Sequence, residues 1–348
     1  MFRRLKIEFL FETLGGFILA LVLLAFFFAS FASASPRKGG AQTLALLPGS
    51  AELVVSLDTF ALRKSDLVSQ MERQFDSVPE AAENYRRFVQ ETGLDPRQDT
   101  DQILIALRRA DEGPEAGFLI IAQGRFGSSR VVEQAAEKGG GTVQVVDGVK
   151  VWTSQPGASS DADGSSAGSG RMVALAQPDE GTLLFGEQAE VTRVLDILSG
   201  KASPEPKNIK LRELLAGVDR RAPAWAILNS SALAGKLSHE VEQNSRDWKP
   251  GSAISKVESV TLMGWIGKDV DLKIRVSAKD SETAGLVADM MRGALAAGKL
   301  AAKDQDPDLL KILQETKLSQ DGTMLEIEAR IPSSRFVAKE GAAAGSTM

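Results

Sequence analysis

The chain has no cysteine and a single histidine among its 348 residues. Lacking cysteine, it has no disulfides, thiol nucleophiles, iron–sulfur clusters, cysteine zinc sites or lipid-modified amino-terminal cysteine. His239 is the one imidazole, so a Ser-His-Asp triad would have to use it as base. It lies in KLSHEVEQ, where Glu240 and Glu242 mark a solvated helix. No H-E-x-x-H exists, which removes a histidine zinc site. Basic charge is also short. Lys and Arg number 41 against 46 Asp and Glu, a net charge of −5, and the pairs Arg86-Arg87, Arg108-Arg109 and Arg220-Arg221 are scattered. Nucleic-acid binding needs a concentrated basic face, so that class is set aside.

Charge is missing altogether from Thr13 to Pro36, a run of 24 residues behind Arg3, Arg4 and Lys6. A helix that crosses a bilayer needs about 20 mostly apolar residues. The apolar region of a signal peptide is shorter, about 7–15 residues, yet Ala32-Ser33-Ala34 has the small-x-small pattern of a cleavage site. Two readings therefore compete. The first is a retained anchor, single-pass, with the carboxy-terminal bulk outside the cytoplasm. The second is cleavage after Ala34 and release to the periplasm or beyond. The early basic cluster orients the amino terminus to the cytoplasm in both.

The whole chain is 43% apolar, enough for a real core. Two stretches align without a gap at an offset of 171: SAELVVSLDTFAL (Ser50–Leu62) and RAPAWAILNSSAL (Arg221–Leu233). Each is a short apolar strand ending in Asp58 or Asn229, side chains that cap helices. QILIALRR and GFLIIAQG read as paired strands, SSRVVEQAAEK as a helix, and TVQVV and VKVWT as a hairpin across Asp147-Gly148. Later, KVESVTLMGWI pairs with VDLKIRVSA, a helix opens near Asp280-Ser281, and KLSQ pairs with TMLEIEARI across Asp321-Gly322. Strands MVALAQ and TLLFG and helix EQAEVTRVLDIL are an addition to the first half.

The predicted fold class is α+β: two pseudo-repeats of β-α-β-β-α-β-β, with mostly antiparallel sheets and helices on one face. Alternation of apolar and charged residues in Val270–Val276 and Leu325–Ile331 predicts one packed and one wet face. The wet face is a candidate partner surface. The expected organisation is 1–36 a transmembrane or signal segment, 37–48 a linker, 49–200 a first α+β half with a mobile Gly/Ser/Asp loop at 157–171, 201–340 a second α+β half, and 341–348 a disordered tail.

Motifs with chemical content are few. GSSAG (Gly164–Gly168) matches G-x-S-x-G but sits in the Gly/Ser loop, without the strand–turn–helix context that the nucleophile requires. KGGGT (Lys138–Thr142) lacks the G-K-[ST] ending of a phosphate loop. Asp304, Asp306, Asp308 and Glu315 fall on calcium-loop positions 1, 3, 5 and 12, but Leu309 stands where the loop needs glycine, and Pro307 interrupts it. A simpler reading makes Asp306 a helix cap with Pro307 at the first helical position. Trp152, Trp225, Trp248 and Trp265 are candidates to bind sugars or line a pocket, but Trp225 and Trp265 lie in strands and are expected in the core, and Trp152 toward the wet side. No catalytic, cofactor-binding or metal-ligating residue is assigned, and no cofactor is expected.

At LLPGSAELVVSLDTFAL, GLDPRQD and GRFGSSRVVEQAAE the chain resembles a group of exported bacterial proteins of unknown function, over about residues 45–340. The resemblance implies an extracytoplasmic α+β domain and brings no catalytic residues. The expectation is a non-enzymatic, membrane-tethered protein of the cell envelope that binds or scaffolds an envelope protein partner. The alternatives are a secreted binder of an apolar or lipid-like ligand, which needs a cavity between helices and sheet, and a carboxylate-dependent hydrolase, which needs perturbed acids meeting in a cleft.

Overall fold

The computed structural model describes residues 43–49, 51–108, 117–154, 172–203, 209–229, 256–303 and 305–336. The opening uncharged run, the GSSAG loop, His239, Trp248 and Asp304 lie outside the described residues. Among the described residues, no helix is long and apolar enough to cross a membrane.

The described chain divides into two compact units. Of the described residues, the amino-terminal unit takes 43–64 and 72–213; the carboxy-terminal unit takes Ser65–Met71 and those from Leu214 onward. Both mix helices with strands that pair antiparallel.

In the amino-terminal unit, strand β1 (Ala51–Leu57) runs into a short helix α1 (Thr59–Leu62). Asp58 caps that helix, its carboxylate accepting from the Ala61 N–H at 2.8 Å. Helix α2 (Asp66–Asp76) follows, its residues through Met71 belonging to the carboxy-terminal unit and those from Glu72 to this one, and then α3 (Pro79–Thr92) and α4 (Pro96–Asp99). Pro79 and Pro96 take first-turn positions, where their missing N–H costs nothing. Then come β2 (Thr100–Arg108), β3 (Phe118–Gly124), α5 (Val131–Gly139), β4 (Thr142–Val146), β5 (Val149–Ser154), β6 (Val173–Asp179), β7 (Thr182–Glu187), α6 (Gln188–Leu198) and α7 (Ile209–Ala216). Sheet order is β1-β2-β3-β7-β6-β5-β4. The β4–β5 turn is Asp147-Gly148, with φ of 51° and 81°, the two positive values of a tight hairpin.

Central strands here are buried on both faces. Leu104 and Ile105, adjacent in β2, are 0% and 6% exposed. One face of β3 and β7 packs Ala122 and Leu183 against Phe126, Leu94 and Val131. On the other, Leu119, Ile121 and Leu184 are buried too, and α6 lies against β3, β6 and β7 through buried Val191, Val194 and Leu195. The arrangement of helices on one face thus does not extend to the middle of this sheet.

The carboxy-terminal unit contains β8 (Ala224–Asn229), β9 (Val257–Ile266), β10 (Asp269–Ala278), α8 (Ser281–Ala302), α9 (Pro307–Glu315), β11 (Lys317–Asp321) and β12 (Met324–Pro332), ordered β8-β9-β10-β12-β11. Helix α8 starts where Asp280 accepts from the Thr283 N–H at 2.7 Å. Its Val287 and Ala288 pack on Val257, Val276, Leu325 and Ile327. Leu67 and Met71 join Val270, Ile266, Leu272 and Ile331 at the other end of that face. Asp306 caps α9 by accepting from the Leu309 N–H at 2.9 Å, with Pro307 next and Arg335 on its carboxylate. The last hairpin turns one residue later than Asp321-Gly322 suggests. Asp321 pairs with Met324, and Gly322, φ 55°, is the first turn residue.

Candidate binding face

Strand alternation sends Val270, Leu272, Ile274 and Val276 to the helix side and Asp271, Lys273 and Arg275 to the other. Register then decides what those charges meet. On β12, Arg330 lies opposite Asp271, Glu328 opposite Lys273, and Glu326 opposite Arg275. Opposite charges fall side by side at every step. Arg330 Nε is 2.7 Å from Asp271, Lys273 Nζ is 2.8 Å from Glu328 and 3.0 Å from Glu326, and Arg275 Nε is 2.8 Å from Glu326. Arg275 also donates to the Gly217 carbonyl at 3.1 Å.

Electrostatics follow this ladder. The Arg275 hydrogen bond, with Lys273 behind it, holds the Glu326 carboxyl below the usual range. Glu328 and Glu326 together raise the Lys273 ammonium, and Asp271 raises Arg330.

Beside the ladder is a hollow of about 380 Å³. Half-buried Trp265, opposite Asp271 in the β9–β10 register, forms part of its wall. Trp265 is thus a wall residue rather than a core one, whereas Trp225 is buried at 7% exposure. Around it stand three acids, Asp271, Glu315 and Glu328, and three bases, Lys273, Lys317 and Arg330. A rim with balanced charge suits ligands that carry both signs and hydrogen-bonding groups, as a polypeptide does. It offers no concentrated field for a polyanion.

The amino-terminal unit holds its charges differently. Arg97 is 14% exposed and lies 4.1 Å from the Tyr85 ring centroid and 5.0 Å from that of Phe75. It donates to both oxygens of Asp76 at 2.8 and 3.0 Å. The Tyr85 hydroxyl donates to Asp95, and burial with that carboxylate raises its pKa. Burial lowers the Arg63 guanidinium to about 10, partly offset by Asp101 3.6 Å away. Glu72 is raised by burial. Arg108 reaches Glu190 at 3.3 Å and Glu187 at 3.5 Å, and Arg193 reaches Glu190 at 3.0 Å. These groups brace loops and helix ends: Arg63 donates to the Thr100 carbonyl and Arg193 to that of Leu46.

Other residues singled out by sequence have structural duties. Trp152 does not stand free on a wet face. It lies over Gly139 at the end of α5, and its Nε1–H donates to the Gly140 carbonyl at 2.6 Å. The glycines of KGGGT make that approach and the turn into β4, with φ of 64° at Gly140 and 86° at Gly141. Among the described residues, no group of three or more His, Asp or Glu side chains is placed to hold a metal ion.

No protein-family model matches the chain, and no curated protein matches it. Among solved structures, the chain is similar to TP0453 in its crystal form I. Identity is 9%, the match covers 84% of this chain and 94% of that one, and the TM-score is 0.44.

Proposed function

We propose that the chain is a membrane-tethered extracytoplasmic protein that works by binding, and that the charged face of β10, β12 and β11 takes a polypeptide partner. The observation that carries this reading is the hollow at Trp265 with its three acids and three bases. An aromatic wall supplies apolar contact, and fixed charges of both signs select a partner with complementary spacing. The uncharged run from Thr13 to Pro36 supports the tether.

Strand order supports a duplicated plan dividing near residue 200. The carboxy-terminal order is β8-β9-β10-β12-β11. The amino-terminal order is β1-β2-β3, then β7-β6, then β5-β4. Without β6 and β7, the addition already visible in the sequence, the two orders correspond strand for strand.

Two measurements test the proposal. Intact mass and alkaline-carbonate fractionation of the full-length protein test the tether; a mass beginning at Ser35 in the soluble fraction refutes it. A photoreactive phenylalanine in place of Trp265 should give one discrete adduct in cells, lost when Lys317 and Arg330 are changed to Glu. The same probe at Leu300, exposed on α8, should give none. Equal labelling from both positions refutes the docking face.

A further inference from the structure

β4 and β11 each have a described strand on one side only. An edge of this kind presents unpaired N–H and C=O groups, and proteins blunt it with charge, proline or a bulge. β11 is blunted, for its five residues include Lys317 and Asp321. β4 is not. Its sequence, TVQVV, has no charge, no proline and no glycine, and four of its five residues are β-branched. Its side chains are open to solvent, with Val143 44% and Val145 70% exposed. β-Branched residues favour strand pairing, and a chain of net charge −5 here leaves a neutral stretch at its edge.

We propose that two copies of this chain join edge to edge through β4, antiparallel, about a two-fold axis at Gln144. The strand is self-complementary in that register. Thr142 of one copy meets Val146 of the other, Val143 meets Val145, and Gln144 meets Gln144. Cross-strand partners within the copy extend each row. Lys150 lies opposite Val145 and Trp152 opposite Val143. One row therefore reads Lys150, Val145, then Val143 and Trp152 of the second copy. The central row reads Val151, Gln144, then Gln144 and Val151. No charge meets a like charge across the axis. The nearest ones are already paired, Lys150 with Glu133 at 2.6 Å and Asp147 with Lys201 at 2.6 Å. The contact is isologous and closes, so it gives a dimer rather than a fibre.

The absence of cysteine makes the test clean. In full-length protein, Gln144→Cys puts one thiol on each side of the axis, with Cα atoms about 4.5–5.5 Å apart, a span that a disulfide bridges. Mild oxidation should convert most of the Gln144→Cys protein to a covalent dimer and leave Gln320→Cys, on β11, monomeric. Register is tested without cysteine by sedimentation. Val143→Lys with Val145→Lys places lysine against lysine and should give a monomer; Val143→Glu with Val145→Lys places opposite charges together and should restore the dimer. Both valines are exposed, so these changes spare the core. The proposal is overturned if the unmodified chain sediments as a monomer, which would also be the result if β4 instead receives a segment of another protein. It is equally overturned if the two cysteine variants cross-link alike, or if both charge pairs have the same mass.

Discussion

Replacing Glu326 with Gln removes one charge from the ladder and leaves its shape. The carboxylate meets Arg275 at 2.8 Å and Lys273 at 3.0 Å, and its side chain is 27% exposed. Ion pairs with that much water around them contribute about 0.2–1 kcal/mol each. Two pairs sharing one acid put the expected loss at about 1 kcal/mol at pH 7. The sign with pH is fixed by direction. Glu326 titrates below the usual carboxylate range, so its contribution is present above the ordinary value and is lost as pH falls through the depressed one. Lys273 is raised, so its share persists below the ordinary lysine value and is lost as pH rises through the raised one. Urea unfolding of the full-length protein, followed by tryptophan fluorescence, should show wild type above Glu326→Gln at pH 7. The gap should close toward pH 2, and it should narrow in 1 M salt, where the screening length falls to about 3 Å. A gap that persists in acid and in salt would refute the electrostatic account and leave a packing defect in its place.

Two more changes probe the amino-terminal unit. Arg97→Lys keeps the charge but loses the flat stack on Tyr85 and Phe75 and the two-oxygen contact with Asp76; thermal unfolding should report a loss of about 1–2 kcal/mol. Gly124→Ala would place a Cβ 1.8 Å from the Asp99 carbonyl oxygen, a backbone atom. It should cost about 3 kcal/mol, read by urea unfolding, and hydrogen exchange should locate the damage at the end of the β2–β3 pair where Thr100 faces Gly124.

Legibility in the sequence tracks the distance over which each feature is decided. The Asp147-Gly148 hairpin is local, because positive φ at two adjacent residues is a property of those residues. The Asp306 cap and its proline are local too, and the calcium-loop spacing around them is a by-product of a helix start. Alternation in β10 displays two faces, but the partner of each charge depends on β12, which returns only after α8 and α9. Nothing near Arg275 in the chain announces Glu326. The same gap misplaced Trp265: it shares a strand face with buried Met263, yet forms a wall of the hollow beside charged β10 and β12. Arg97 gives no signal, since its clamp needs Asp76, 21 residues away, and two aromatic rings from other helices.

The carboxy-terminal unit is discontinuous. It draws Ser65–Met71 out of the other unit's sequence, and Leu67 is 1% exposed on Val270. A chain made from its amino terminus therefore releases Leu67 about two hundred residues before its partner exists. Until Val270 arrives, that segment is a loose apolar end. Completion of the unit is a late event set by chain length, and contacts so far apart in sequence form slowly. A protein stopped anywhere in that interval would lack Val270 altogether, and a single cleavage at residue 214 cannot liberate a complete unit.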